Sequence, residues 1–160
     1  MDGSARDRPR ARDIGIEIGI MPTGELNSIC DVPGVKVGHV TLTEGDGKLI
    51  RGKGPIRTGV TALIPADDIS PHKRLPAAVD VINGFGKSVG MIQIMELGSI
   101  ETPILLTNTL NVGKASQHLV EWMIEKYPEI SSVNPVVMEC NDSYLNDIWG
   151  MHVSREHVFE

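Results

Sequence analysis

The sequence predicts an α/β domain, and three observations carry that expectation. Short β-branched runs recur without the polar alternation of a half-exposed sheet, one long segment has helical periodicity, and Gly, Pro, Asn and Asp separate them. Strands that are apolar throughout belong to a sheet covered on both faces. The 17 Gly and 10 Pro among 160 residues make the chain turn-rich, while 41% hydrophobic content is that of a globular domain rather than a disordered one. A chain this long buries roughly 70% of its unfolded surface, so its core needs no disulfide or metal staple. Aromatic residues make up only 4%, which leaves Val, Ile, Leu and Met to fill that core.

The elements follow in order. Residues 1–13, with Arg6, Arg8, Arg10 and Arg12 set against Asp2, Asp7 and Asp13, carry charge without apolar periodicity and read as an arm. Residues 14–160 read as one domain. Pro33 and Gly34 suit the second and third positions of a type II turn. A strand then covers 35–43, with Val35, Val37, His39 and Thr41 on one face and Lys36, Gly38, Val40 and Leu42 on the other. Glu44, Gly45, Asp46 and Gly47 read as a hairpin tip. Further strands are expected at 58–64, 77–82, 104–107 and 135–138. The clearest helix is 112–127, where Val112, Ala115, Leu119, Met123 and Tyr127 form one stripe. Asn111 or Thr109 can cap its start, His118 lies on its solvated side, and Pro128 stops it. Ser154 caps a final helix beginning near Arg155, and with six residues left to Glu160 the chain is expected to stop inside an element.

Composition excludes several functions. A net charge of -6 and a pI near 5.3 provide no basic field for nucleic acid. No run reaches the roughly 18 apolar residues of a membrane span, and the first residues lack the apolar stretch of a signal peptide, so a cytoplasmic protein is expected. Cys30 and Cys140, without C-x-x-C spacing, are expected to be small core residues. The five histidines show no ligand spacing, so neither metal nor cofactor is expected.

Three stretches invite chemistry. Gly86, Lys87 and Ser88 resemble the end of a phosphate-binding loop, but Val81 stands where its first Gly is needed. The same stretch through Gly90 fits the G-x-S-x-G nucleophile elbow, with Asp142 or Asp147 and His152 or His157 to complete a triad around Ser88. Against this, Asn83, Gly84 and Phe85 intervene between strand and elbow. The run from Glu139 to Gly150 gathers carboxylates, amides and Tyr144 directly after a strand, where a scaffold presents functional groups. Tyr and Asn side chains there can donate to an oxyanion, or the run can be an Asx-rich turn that bonds its own backbone. Asn108 and Thr109, between strand and helix, can be a site or a cap.

Taken together, RARDIGI (10–16), LNSICDVPGVKVGH (26–39), GKGPIRTGVTALIP (52–65), NGFGKSVG (83–90), TNTLNVG (107–113) and ECNDSYLNDIWGMHV (139–153) resemble the first half of the DmpA-type aminopeptidases. This is the L-aminopeptidase/D-amidase-esterase family, which includes the β-peptidyl aminopeptidases. The resemblance is collinear from Arg10 to Phe159. It implies an α/β/β/α sandwich with Ntn-hydrolase-like layering and the connectivity of ornithine acetyltransferase. It also implies a precursor that cuts itself before a Ser, whose hydroxyl then attacks the substrate carbonyl with its own α-amine as base. That Ser lies beyond the position of Glu160, on a second chain that would be this one's partner in a higher oligomer. These 160 residues alone are accordingly expected to be inactive, or to serve as an assembly or regulatory subunit. Tyr144 corresponds to the family's oxyanion-stabilising tyrosine, although some members carry the aromatic where this chain has Asn141. Asn83, Gly84, Asn108 and Thr109 become candidate neighbours of the substrate, a short peptide, amide or ester, and Ser88 becomes an ordinary loop residue.

Overall fold

The computed structural model describes residues 9–160. Of the arm expected at 1–13, residues 1–8 therefore lie outside the described residues. Arg10 donates its N–H to Asp13 Oδ2 at 2.8 Å and leads into a 3-10 turn, Ala11–Ile14.

Four strands form the main sheet in the order β1-β2-β5-β6. Strand β1 (Lys36–Glu44) runs antiparallel to β2 (Ile56–Ile64) over nine paired positions, from Lys36 opposite Ile64 to Glu44 opposite Ile56. The turn before β1 is of the expected type: Val35 N–H bonds Val32 O at 3.1 Å, and Gly34 takes a φ of 89° that a side chain would oppose. The hairpin tip expected at 44–47 opens into a longer connection that folds back on itself, with Ile50 and Gly54 bridged. Strand β5 (Ile104–Asn108) is antiparallel to β2 and parallel to β6 (Val136–Cys140). Helix α2 (Val112–Lys126) makes the crossover that a parallel pair requires. A two-stranded ribbon of β3 (Leu75–Pro76) and β4 (Ser99–Ile100) flanks the short helix α1 (Met91–Leu97), and α3 (Arg155–Phe159) follows Ser154 as expected.

Alternation along the strands divides the apolar residues between two cores. Leu105 and Val137 join Val60, Val112, Ala115, Leu119, Met123 and Val153 beneath α2, with Val40 and Leu42 packed against them. Ile104, Val136 and Met138 turn the other way, to Ile69, Ile94 and Ile100. The sheet is thus covered on both faces at the start of β5 and β6, while Leu106, farther along β5 on the second face, is 42% exposed. At β1 the second face is not covered, and Val37 there is 41% exposed.

Several expectations are corrected. Residues 77–82 do not form a strand: β3 ends at Pro76, and after the Ala77 N–H bonds Gly98 O at 2.9 Å the segment continues without a ladder. Helix α1 was not foreseen, because it is only seven residues long, five of them apolar, and glycines stand at both ends. Gly90 there has a φ of 90°, and a Cβ would meet Pro135 O at 2.5 Å. Asn111 stands at the N-cap of α2 as expected, but neither its side chain nor that of Thr109 makes the capping bond. The Asn108 side chain accepts the Asn111 N–H instead, at the start of the 3-10 turn that feeds the helix. His118 is partly buried rather than solvated, with Nδ1 3.0 Å from Glu121 Oε2. Cys30 and Cys140 are exposed, not core, since one sits in a short 3-10 turn and the other ends β6.

Candidate active site

Parallel strands leave their carboxyl ends side by side, which is where α/β folds hold ligands. Here β5 ends at Asn108 and β6 at Cys140, paired in register, and the chain that follows each strand builds the site. Asn108 is buried, and its amide is fully engaged. Oδ1 accepts from the backbone and side-chain nitrogens of Asn111 at 3.1 and 2.8 Å. Nδ2 donates to Thr58 Oγ1 at 2.8 Å and to Asp142 Oδ2 at 3.2 Å. Asn108 therefore ties the start of α2 to the loop after β6.

Glu139 makes the second tie. Its Oε2 accepts from the Thr109 hydroxyl, and its Oε1 accepts the Lys87 N–H at 3.1 Å across 52 residues of sequence. The half-buried carboxylate is thus held between the β5–α2 junction and the glycine-rich loop before α1. These groups border one open cavity of about 530 Å³, lined by Asn83, Gly84, Thr109 and Glu139 together with the apolar residues Val79, Val81, Ile82, Phe85, Met91 and Met138. Each Glu139 oxygen keeps a lone pair beyond the bond it accepts. A shallower groove of about 430 Å³ adjoins across Met138, Glu139 and Cys140, over the second face of the sheet, where His39 Nδ1 lies 2.6 Å from Thr61 Oγ1. Asp142 reaches this groove, and its Oδ1 is buried with no partner among the described residues.

Beyond Asp142 the chain does what an Asx-rich turn does. Ser143 N–H bonds Asn141 Oδ1 at 2.9 Å, and the N–H groups of Leu145 and Asn146 bond Asp142 O at 3.1 and 3.0 Å. The turn presents Tyr144 outward, 94% exposed, and Tyr144 lines neither the cavity nor the groove. The next residues anchor the turn. Asn146 Oδ1 accepts Arg57 N–H at 2.9 Å, while Asp147 Oδ1 accepts Gly52 N–H at 2.8 Å and its Oδ2 lies 3.2 Å from His152 Nε2. Burial raises the pKa of the Asp147 carboxyl, but the Gly52 N–H and the His152 ring outweigh that, so it ends below the ordinary carboxylate value.

Among the residues singled out from sequence, the structure brings Asn83, Gly84 and Thr109 to one cavity and puts Asn108 in the adjoining groove, while Tyr144 lines neither. It does not assemble the Ser88 elbow. No strand leads directly into Ser88, since β3 ends at Pro76, His152 pairs with Asp147, and His157 accepts the Ser154 N–H at 3.0 Å. Sequence reasoning left Glu139 undistinguished within its polar loop and passed over Lys87 as a bond donor. The one available signal was a carboxylate directly following the apolar residues of β6, at a strand's carboxyl end.

The chain is similar in sequence and fold to known proteins. The sequence profile described as peptidase family S58 matches residues 27–160. The beta-peptidyl aminopeptidase BapA of Sphingosinicella xenopeptidilytica is 46% identical over 154 residues, which are 94% of this chain and 38% of that protein. The crystal structure of a Pyrococcus horikoshii protein superposes with a TM-score of 0.88 at 54% identity, covering 94% of this chain and 44% of that one. The L-aminopeptidase D-Ala-esterase/amidase of Ochrobactrum anthropi, described as a prototype serine aminopeptidase with a variant of the Ntn hydrolase fold, superposes with a TM-score of 0.82 at 35% identity. It matches 95% of this chain and 43% of its own. The Ntn-hydrolase-type fold expected from sequence is thus that of the Ochrobactrum anthropi relative, on which this chain superposes. The chain spans about two fifths of the length of each relative.

Proposed function

The chain belongs to peptidase family S58, and from that premise we propose that it forms the α portion of a self-processing serine aminopeptidase or amidase that removes the N-terminal residue from short peptides, amides or esters. The observation that carries this reading is the half-buried Glu139 carboxylate in a cavity otherwise lined largely by apolar side chains. Such a site suits a free N-terminal ammonium, because a charged donor on a carboxylate makes a strong hydrogen bond away from bulk water. Thr109 and Lys87 fix the carboxylate, and Asn83 and Gly84 shape the cavity around the bound residue.

The nucleophile in this reading is the N-terminal Ser of a partner β chain that lies outside these 160 residues. Its hydroxyl oxygen bonds the acyl carbon while its proton passes to the serine's own α-amine, whose unperturbed pKa near 8 suits a base in neutral solution. The scissile C–N bond then breaks, the leaving amine takes that proton, and water hydrolyses the acyl ester. Tyr144, with an exposed hydroxyl, donates to the oxyanion that forms on the carbonyl oxygen. The two-chain units assemble into higher oligomers, and the two free thiols fit a reducing, cytoplasmic setting. No helix among the described residues is long and apolar enough to cross a membrane.

Expressing the complete reading frame tests this proposal. Intact-mass and N-terminal analysis should find a second chain beginning with Ser, and the processed protein should release p-nitroaniline from an aminoacyl p-nitroanilide. An unprocessed, inactive product would overturn it. The 160 residues expressed alone should show no turnover.

A further inference from the structure

The loop facing Glu139 is most apolar where it is most exposed. Ile82 is 93% exposed and Phe85 82%, and both line the cavity beside Val81 and Met138. Large apolar side chains at a cavity mouth gain free energy when a ligand takes them out of water. This loop is also held in place. Phe85 N–H bonds Asn83 Oδ1 at 3.1 Å, Lys87 N–H bonds Glu139, and Lys87 Nζ donates to Phe85 O at 2.6 Å while lying 4.1 Å from the centre of the Phe85 ring. The ring is therefore positioned relative to the carboxylate by bonds at both ends of its own turn.

We propose that Ile82 and Phe85 form the wall of the subsite that receives the side chain of the substrate's N-terminal residue, so that the site selects apolar side chains of about leucine size. The proposal rests on the reading of the Glu139 cavity as the amino-acid subsite. An ammonium on Glu139 leaves the side chain against the Ile82 and Phe85 face. An acidic side chain would meet two carboxylates, Asp80 and Glu139, against one ammonium, Lys87, which already donates to Phe85 O, and glycine would leave the wall in water. One methylene in an apolar pocket is worth roughly 10-fold or more in discrimination, so the preference is measurable.

The test uses the complete, processed protein with leucyl, glycyl and glutamyl p-nitroanilides. The unmodified protein should prefer leucyl, and Phe85→Ala should lower the leucyl-to-glycyl ratio of kcat/KM roughly 10-fold, with Ile82→Ala acting in the same direction. Phe85→Leu, which keeps apolar bulk, should retain most of the ratio. Glu139→Gln should depress all three substrates together and leave the ratio in place. An unmodified protein that turns over glycyl or glutamyl as well as leucyl, or an unchanged ratio in a folded Phe85→Ala protein, overturns the proposal. Absence of turnover on all three overturns the aminopeptidase reading itself, and this one with it.

Discussion

The two ends of the β5–β6 pair are built from opposite materials. Along the strands, Leu105 and Val137 are 1% and 0% exposed and pack against Ala115, Leu119 and Met123 of α2. At the carboxyl ends, Asn108, Thr109, Glu139 and Asp142 replace these apolar contacts with hydrogen bonds among polar groups. The first region is held by non-directional apolar burial, which tolerates rearrangement, and the second by directional bonds that fix atoms to within tenths of an ångström. Substitutions in the first should therefore move stability, and those in the second should move activity more than stability.

The comparison breaks most visibly at Leu119, which is 2% exposed at the centre of the α2 contact. Leu119→Ala should destabilise the complete protein by about 2–5 kcal/mol in denaturant titration, while kcat of the remaining folded fraction stays close to that of the parent. Tyr144→Phe is its converse. Turnover should fall by about 10²–10³ with an unchanged thermal midpoint, because the 94% exposed side chain is packed against little among the described residues and, in the proposed mechanism, its hydroxyl acts on the oxyanion. Equal turnover in a folded Tyr144→Phe protein would return the Asn141–Asn146 turn to a purely structural role.

Asn108 joins the two regions, so Asn108→Ala should affect both. Loss of its cap and of the bond to Asp142 should cost about 1–2 kcal/mol of stability and also lower kcat, whereas Asn108→Asp should recover the cap but not the activity. The smallest effect is expected at Asp147. Its carboxyl titrates below the ordinary value in the folded protein, so the stability it contributes is complete above the unfolded value of about 3.8 and is lost as pH falls through the lower folded pKa. Asp147→Asn should lower the melting temperature at neutral pH, and the gap from the parent should close as pH falls below 4. A gap that persisted in acid would mean that Asn cannot hold the Gly52 N–H for reasons unconnected with charge.

Much of the first region was legible in the sequence. The strands expected at 35–43, 58–64, 104–107 and 135–138 stand at 36–44, 56–64, 104–108 and 136–140, and the stripe of α2 is found as expected, because burial on one or both faces imposes a period that survives in the residues themselves. The exceptions are instructive. Residues 77–82 have the composition of a strand, but composition does not supply a neighbour with free N–H and C=O groups, and among the described residues the ladder stops at Gly98. Helix α1, seven residues with five apolar, is too short to reveal its period. Cys30 and Cys140 have small apolar side chains, yet their positions in a turn and at a strand end keep them in water.

The second region was legible only in outline. Sequence indicated that the residues after β6 were rich in functional groups and that Tyr144, Asn108 and Thr109 stood at strand ends, and the family resemblance pointed to an aminopeptidase. It did not indicate that Glu139 bonds residue 87, or that Asp147 bonds residue 52 across 95 positions. By itself, then, the sequence determined most of the elements, their order and the family, because periodicity and turn chemistry are properties of neighbours along the chain. The tertiary structure decided which donors reach each buried carboxylate, because a polar group leaving water must bond whatever lies within about 3 Å of it, and that is settled only when distant segments pack together.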